Sequence, residues 1–167
     1  MKIKSGFAML EVLIAIVIFS FGLLGLLGLQ LVGLAGIHSA TLRSIAVAKA
    51  YDLSDRMRAN LAGVNAGAYN NAGAGTDNAC RAVHFMDTHA TPAVCTPAQL
   101  AQDDLKDWNQ ALSNLLPGGV GVVCIDSTPD DSSCDGIGSS YAIKVWWNDK
   151  PKNQVAVTKR VSMEFHP

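Results

Sequence analysis

Residues 1–37 read MKIKSGFAMLEVLIAIVIFSFGLLGLLGLQLVGLAGI, and this stretch decides the fold. From Val12 to Ile37 it runs 26 residues without a charge, and its only polar members are Ser20 and Gln30. That is longer than the roughly 20 apolar residues that span a bilayer as a helix. It also exceeds the about 7–15 apolar residues of a cleaved secretory signal. A membrane span is therefore expected. Lys2 and Lys4 precede it, so the positive-inside rule predicts a cytoplasmic N-terminus with the following chain on the far side. One residue is out of place. Glu11 sits at the start of the apolar run, where a carboxylate in hydrocarbon costs at least about 2.5–3.5 kcal/mol. Such a group persists when it reaches the headgroup layer or when it finds a partner, and the residues alone leave both open.

The apolar block leads without a break into TLRSIAVAKAYDLSDRMRANLAG, where Ala46, Ala50, Leu53, Met57 and Leu61 recur at helical spacing. The first proline of the chain is Pro92. One continuous helix is predicted from about Phe7 to Leu61, ending before Gly63, with a transmembrane half (7–37) and an amphipathic half (38–62). Residues 63–167 are read as a globular head. It opens with a Gly/Ala/Asn-rich loop and a helix starting at Thr96-Pro97, whose Gln99 completes a capping box. Ala101, Leu105, Trp108, Leu112 and Leu115 share one face of that helix, and Pro117-Gly118-Gly119 stops it.

The period then changes. Tyr141, Ile143, Val145 and Trp147 alternate with Ala142, Lys144 and Trp146, and Val155 to Phe165 alternate likewise. Residues 119–126 form a third run. These predict three half-buried antiparallel strands, a meander being the simplest order, with the amphipathic half of the long helix covering the apolar face. The expected class is α+β.

The N-terminal stretch resembles that of type IV prepilins and the related pseudopilins. The matching elements are a short basic leader MKIKSG ending in Gly6, then Phe7, three mostly apolar residues, Glu11 and the apolar run. The resemblance implies the type IV pilin fold, removal of residues 1–6 by prepilin peptidase between Gly6 and Phe7, and N-methylation of Phe7. It also implies that Glu11 meets the N-terminal amine of a neighbouring subunit in a filament. Pairing would offset the cost of two buried charges, and a misplaced subunit would leave both unpaired. Gly22, Gly25, Gly33 and Gly36 share one side of the helix, which suits either close helix packing or local unwinding.

The segments FSFGLLGLLGLQ, YDLSDRMRAN, LPGGVGVVCID and CDGIGSSYAIKVWW together resemble the PilV family of minor pilins, the type IV pilus modification proteins. That implies a minor subunit that helps prime pilus assembly and is retained at the tip, supporting twitching motility and adhesion. Its implied partners are other minor pilins, the major pilin, prepilin peptidase and, before assembly, inner-membrane lipid, with the head in the periplasm. Two alternatives stand beside it: a minor pseudopilin of a type II secretion system and a single-pass anchored periplasmic interaction domain.

A formal net charge of −1 excludes a nucleic-acid footprint. No nucleophile with a plausible base and no phosphate loop appears, so neither an enzyme, a cofactor nor a small-molecule substrate is expected. Cys80, Cys95, Cys124 and Cys134 form an even set expected to make two disulfides. Three pairings are possible, and Cys80–Cys95 with Cys124–Cys134 is favoured because each closes a short loop. Cys80, His84, His89 and Cys95 also have zinc-ligand chemistry, and Asp126, Asp130, Asp131 and Asp135 have calcium-ligand chemistry. The expectation is a disulfide with two loop histidines, a solvated acidic turn, and no metal. Trp146 and Trp147 point to opposite sheet faces, one of them into the core. Arg56 and Arg58 are read as a solvated helix side able to pair with Asp52 or Asp55 of a neighbouring subunit.

Overall fold

The computed structural model describes residues 9–70, 73, 75–78, 80, 95–149 and 155–167. Six elements follow in order: α1 (Met9–Ala59), α2 (Leu61–Asn65), α3 (Pro97–Leu115), β1 (Val120–Ile125), β2 (Tyr141–Asp149) and β3 (Val157–Phe165). The chain divides after Ala40 into two units. In the first, α1 carries apolar side chains that are exposed from Met9 through Ile37 wherever they are described. Among the described residues α1 is the one helix long and apolar enough to cross a membrane. Ser20 hides its hydroxyl by donating to the Ile16 carbonyl at 2.7 Å, a way to keep a polar group within an apolar helix.

The second unit begins at Thr41. There α1 buries Leu42, Ala46, Ala50, Leu53 and Met57, one stripe at spacings of three and four. The stripe stops at Met57. Leu61, expected to continue it, is 48% exposed. α1 ends at Ala59 because Asn60 leaves helical geometry (φ −122°, ψ 54°) and caps α2, its Oδ1 accepting from the Gly63 amide at 3.2 Å. The continuous helix to Leu61 is thus corrected to two helices, and the turn at Asn60 resets which residues face inward. A Cβ at Gly63 would fall 2.9 Å from the Pro97 carbonyl, so only glycine fits where α2 meets the start of α3.

α3 starts with the expected capping box: the Thr96 side chain accepts from Gln99 N, and the Gln99 side chain accepts from Thr96 N at 2.9 Å. It buries Ala101, Leu105, Trp108 and Leu112, but Leu115 is 48% exposed and Leu116 is the buried leucine. Leu116 is the C-cap and has extended geometry (φ −119°, ψ 133°), so the helical face no longer applies there.

β1, β2 and β3 form an antiparallel meander with β2 central. Val123, Tyr141, Ile143, Val145, Trp147 and Phe165 join the helices in one core. Trp147 is the core tryptophan, and Trp146 on the other face is half-buried. The ring of Trp108 lies so close to β1 that a Cβ at Gly121 would overlap it. β2 departs from the half-buried pattern. Ala142 and Lys144, on the face away from the helices, are as completely buried as Ile143 and Val145. Val155, expected within the last strand, precedes it and is 85% exposed.

Candidate functional site

Glu11 lies in the first turn of α1, where the helix dipole favours a negative side chain. It is exposed and lies beside Val12, Ala15, Ile16 and Phe19 on one side of the helix. Gly6 and Phe7 lie outside the described residues. Gly22, Gly25, Gly28, Gly33 and Gly36 have open space where a Cβ would stand, so nothing among the described residues explains why these positions lack side chains.

A family model, that of the prokaryotic N-terminal methylation motif, matches residues 1–27. The motif supports a type IV pilin or pseudopilin. It covers Gly6, Phe7 and Glu11 and most of the apolar block, and it implies processing by prepilin peptidase and assembly with other pilins. With the exposed apolar half of α1 it fits a membrane-anchored pilin, and with the pilin-like α+β arrangement it suggests a structural protein rather than an enzyme. Searches of curated proteins and of solved structures gave no match.

The pilin-like head is held by polar groups that its pattern of apolar residues did not reveal. Asp104, 1% exposed on α3, accepts from the Tyr69 hydroxyl at 2.6 Å and faces Arg56 Nη1 at 3.4 Å. Asn60 Nδ2 lies 3.2 Å from the same tyrosine oxygen and donates to the Pro97 carbonyl at 2.8 Å. Arg56 also faces Asp52 at 3.3 Å, and Lys49 reaches Asp52 at 3.3 Å. Burial works to raise the Asp52 carboxyl, but Arg56 and Lys49 outweigh it and hold it below the usual aspartate value. The same balance, burial against Asp52 and Asp104, leaves the Arg56 guanidinium raised. The reading of Arg56 and Arg58 as a solvated helix side is corrected for Arg56, while Arg58 is exposed as expected. Arg56 bridges α1 to α3, while Arg58 pairs with Asp55 of its own chain at 2.8 Å and sits 5.7 Å from the Phe165 ring centre. Neighbours three or four residues away on a helix meet first.

Asp103 plays a parallel part. It is 4% exposed and accepts from the amides of Asn78 and Cys80, the latter at 2.6 Å. A charge-assisted pair of this kind ties the segment beside the first disulfide to α3. The structure bonds Cys80 to Cys95 and Cys124 to Cys134, with Cα atoms 5.6 and 6.1 Å apart. The sulfurs of Cys80 and Cys95 are thus bonded to each other rather than open as thiolates, and His84 and His89 lie outside the described residues.

The acidic turn is not uniformly solvated. Asp126 is fully buried and pairs through Oδ2 with the fully buried ammonium of Lys144. That ammonium also donates to the Asp131 carbonyl at 3.0 Å and to the Ser133 carbonyl, and faces Asp131 Oδ1 at 3.3 Å. Asp135 accepts from the Ser127 hydroxyl and amide. The Thr128 hydroxyl, helped by Ser133 and Lys144, lowers the Asp131 carboxyl. Ser127 does the same for Asp135. The cation this turn holds is a side chain of the chain itself. Cys124 and Cys134 flank Asp126, with their sulfurs joined to each other.

Proposed function

We propose that this chain is a minor pilin of the PilV type, which helps prime assembly of a type IV pilus and supports twitching motility and adhesion. The observation that carries the reading is the methylation motif over residues 1–27, and the distal segments LPGGVGVVCID and CDGIGSSYAIKVWW narrow it to a minor subunit by resemblance. In this reading prepilin peptidase cuts between Gly6 and Phe7, Phe7 is N-methylated, and the new amine of one subunit pairs with Glu11 of the next. Residues 7–37 stand first in the inner membrane and then in the filament core. Residues 38–62 form the amphipathic segment that leads into a periplasmic head of residues 63–167. The partners are other minor pilins and the major pilin.

The test is a deletion of the gene, with sheared surface pili and the secretome collected together. Lost pili with normal secretion support the priming role. Normal pili with lost secretion move the protein to the pseudopilins of a type II secretion system, and normal amounts of both discard the assembly reading.

A further inference from the structure

The buried lysine on the outer face of the sheet requires a cover, and the nature of that cover has a consequence. Lys144 stands in the central strand, opposite Val122 of β1 and Ser162 of β3. Its neighbours in the alternation are Ala142 and Trp146, so the side chain leaves the sheet on the side away from the helices. The oxygens around its ammonium come from residues 126–133, part of the irregular segment that joins β1 to β2. That segment offers the sheet almost no apolar attachment. Its residues from 127 to 139 are exposed apart from a half-buried Pro129, and its one large apolar side chain, Ile137, is 65% exposed.

What holds the cover down is therefore covalent and polar. The Cys124–Cys134 disulfide returns the segment to β1. Gly136 N donates to the Ile125 carbonyl at 3.1 Å, and Arg160 donates to the Asp130 carbonyl. Asp126 N also donates to the Ser140 carbonyl at 3.3 Å, and the ties to Lys144 add to these. A buried ammonium is tolerated only while its partners are in place, because breaking one side of a buried pair leaves an uncompensated charge. The cover and the buried state of Lys144 are thus two halves of one arrangement, and the disulfide is its only covalent part.

We infer that the Cys124–Cys134 disulfide is a redox latch. Oxidised, it keeps residues 126–134 over the sheet and Lys144 buried. A dithiol reductant takes the bond apart by two exchange steps. Two electrons and two protons pass to the cysteine sulfurs, the reductant becomes the disulfide, and Cys124 and Cys134 become thiols. The segment then lifts, Lys144 turns into water, and the outer face with Ala142 and Trp146 is uncovered, while the helix-facing core stays packed. The head completes its outer surface only in an oxidising compartment. The inference is independent of whether the chain serves a pilus or a secretion system.

The test is amine labelling of the full chain in detergent with an acetylating ester, read by peptide mass spectrometry, with and without dithiothreitol. Exposed Lys159 is the internal control. Reduction is expected to raise the labelling rate of Lys144 by about 5–150-fold, the usual span of a coupling between two sites, with Lys159 unchanged. The C124S/C134S variant should label like the reduced chain, and C80S/C95S should keep Lys144 protected. Near-ultraviolet circular dichroism of the core aromatics should survive in C124S/C134S. Lys144 remaining protected after both thiols are alkylated would overturn the latch. So would equal exposure in C80S/C95S, or loss of the core signal in C124S/C134S, since release would then be global unfolding.

Discussion

The indole N–H of Trp108, in the middle of α3, donates to the backbone carbonyl of Lys49 in α1 at 2.7 Å. A side chain fully enclosed in the core thereby reads the position of a helix backbone, and its ring also fixes the approach of β1 at Gly121. Three elements meet on one residue, which makes Trp108 the reference point of the head.

Trp108→Phe keeps most of the apolar contact but removes the donor and part of the ring. It is expected to cost about 1–3 kcal/mol from the lost hydrogen bond and the cavity left behind. Trp146→Phe, on the half-buried side, should stay within about 0.5 kcal/mol. Thermal melts of the full chain in detergent, followed in the near-ultraviolet, compare the two. Equal losses would count against Trp108 as the anchor.

Asp104 and Tyr69 test the buried network. Asp104→Ala strips the Tyr69 hydroxyl of an acceptor and leaves Arg56 to Asp52, and is expected to cost about 1–3 kcal/mol. Tyr69→Phe should cost about 1–3 kcal/mol. The two residues share a bond, so the double variant should lose clearly less than the sum of the single variants. A strictly additive double-mutant cycle would deny the coupling.

Acid should loosen the head in a defined direction. Asp52, Asp131 and Asp135 all have carboxyls lowered below the ordinary value of 3.8. A lowered folded-state value means that the unfolded chain binds protons first. The stability these groups contribute is then complete above that ordinary value and is lost as pH falls through the lower folded values. Denaturant midpoints should therefore fall between about pH 5 and about pH 2. Asp52→Asn should flatten part of the fall. An unchanged slope in that variant would remove Asp52 from the account.

Glu11→Ala tests the proposed docking role. Cleavage between Gly6 and Phe7 should proceed, seen as the shortened intact mass. Incorporation into sheared filaments should drop by more than about tenfold, because a buried amine left unpaired costs several kcal/mol. Normal amounts of the variant in filaments would count against the pairing of Glu11 with an amine.

Much of this architecture was legible because it rests on local rules. The Thr96–Gln99 box, the alternation of Tyr141 to Trp147 and the disulfide pairs Cys80–Cys95 and Cys124–Cys134 depend on neighbours along the chain. The misreadings depend on partners far away. Asn60 breaks the long helix because its side chain has Gly63, Tyr69 and Pro97 to bond. Lys144 reads as outward and solvated until a separate segment covers it. Leu61 stands just past the turn at Asn60, and Leu115 is the last residue of α3, where the chain turns inward at Leu116 instead. Glu11 stands four residues after Phe7 within the stretch that the methylation motif matches.

Cys80 and Cys95 lie 15 residues apart, and Cys124 and Cys134 lie 10 apart, while α3 separates one pair from the other. For each cysteine the correct mate is also its nearest along the chain. Loops of about 10 residues close in roughly 10–100 ns, whereas disulfides form in seconds to hours. Chain search is thus never the slow step. Each bond can be made by an oxidant acting on one stretch of newly made chain, in order of synthesis, with no wrong pairing to be undone before the next cysteine arrives.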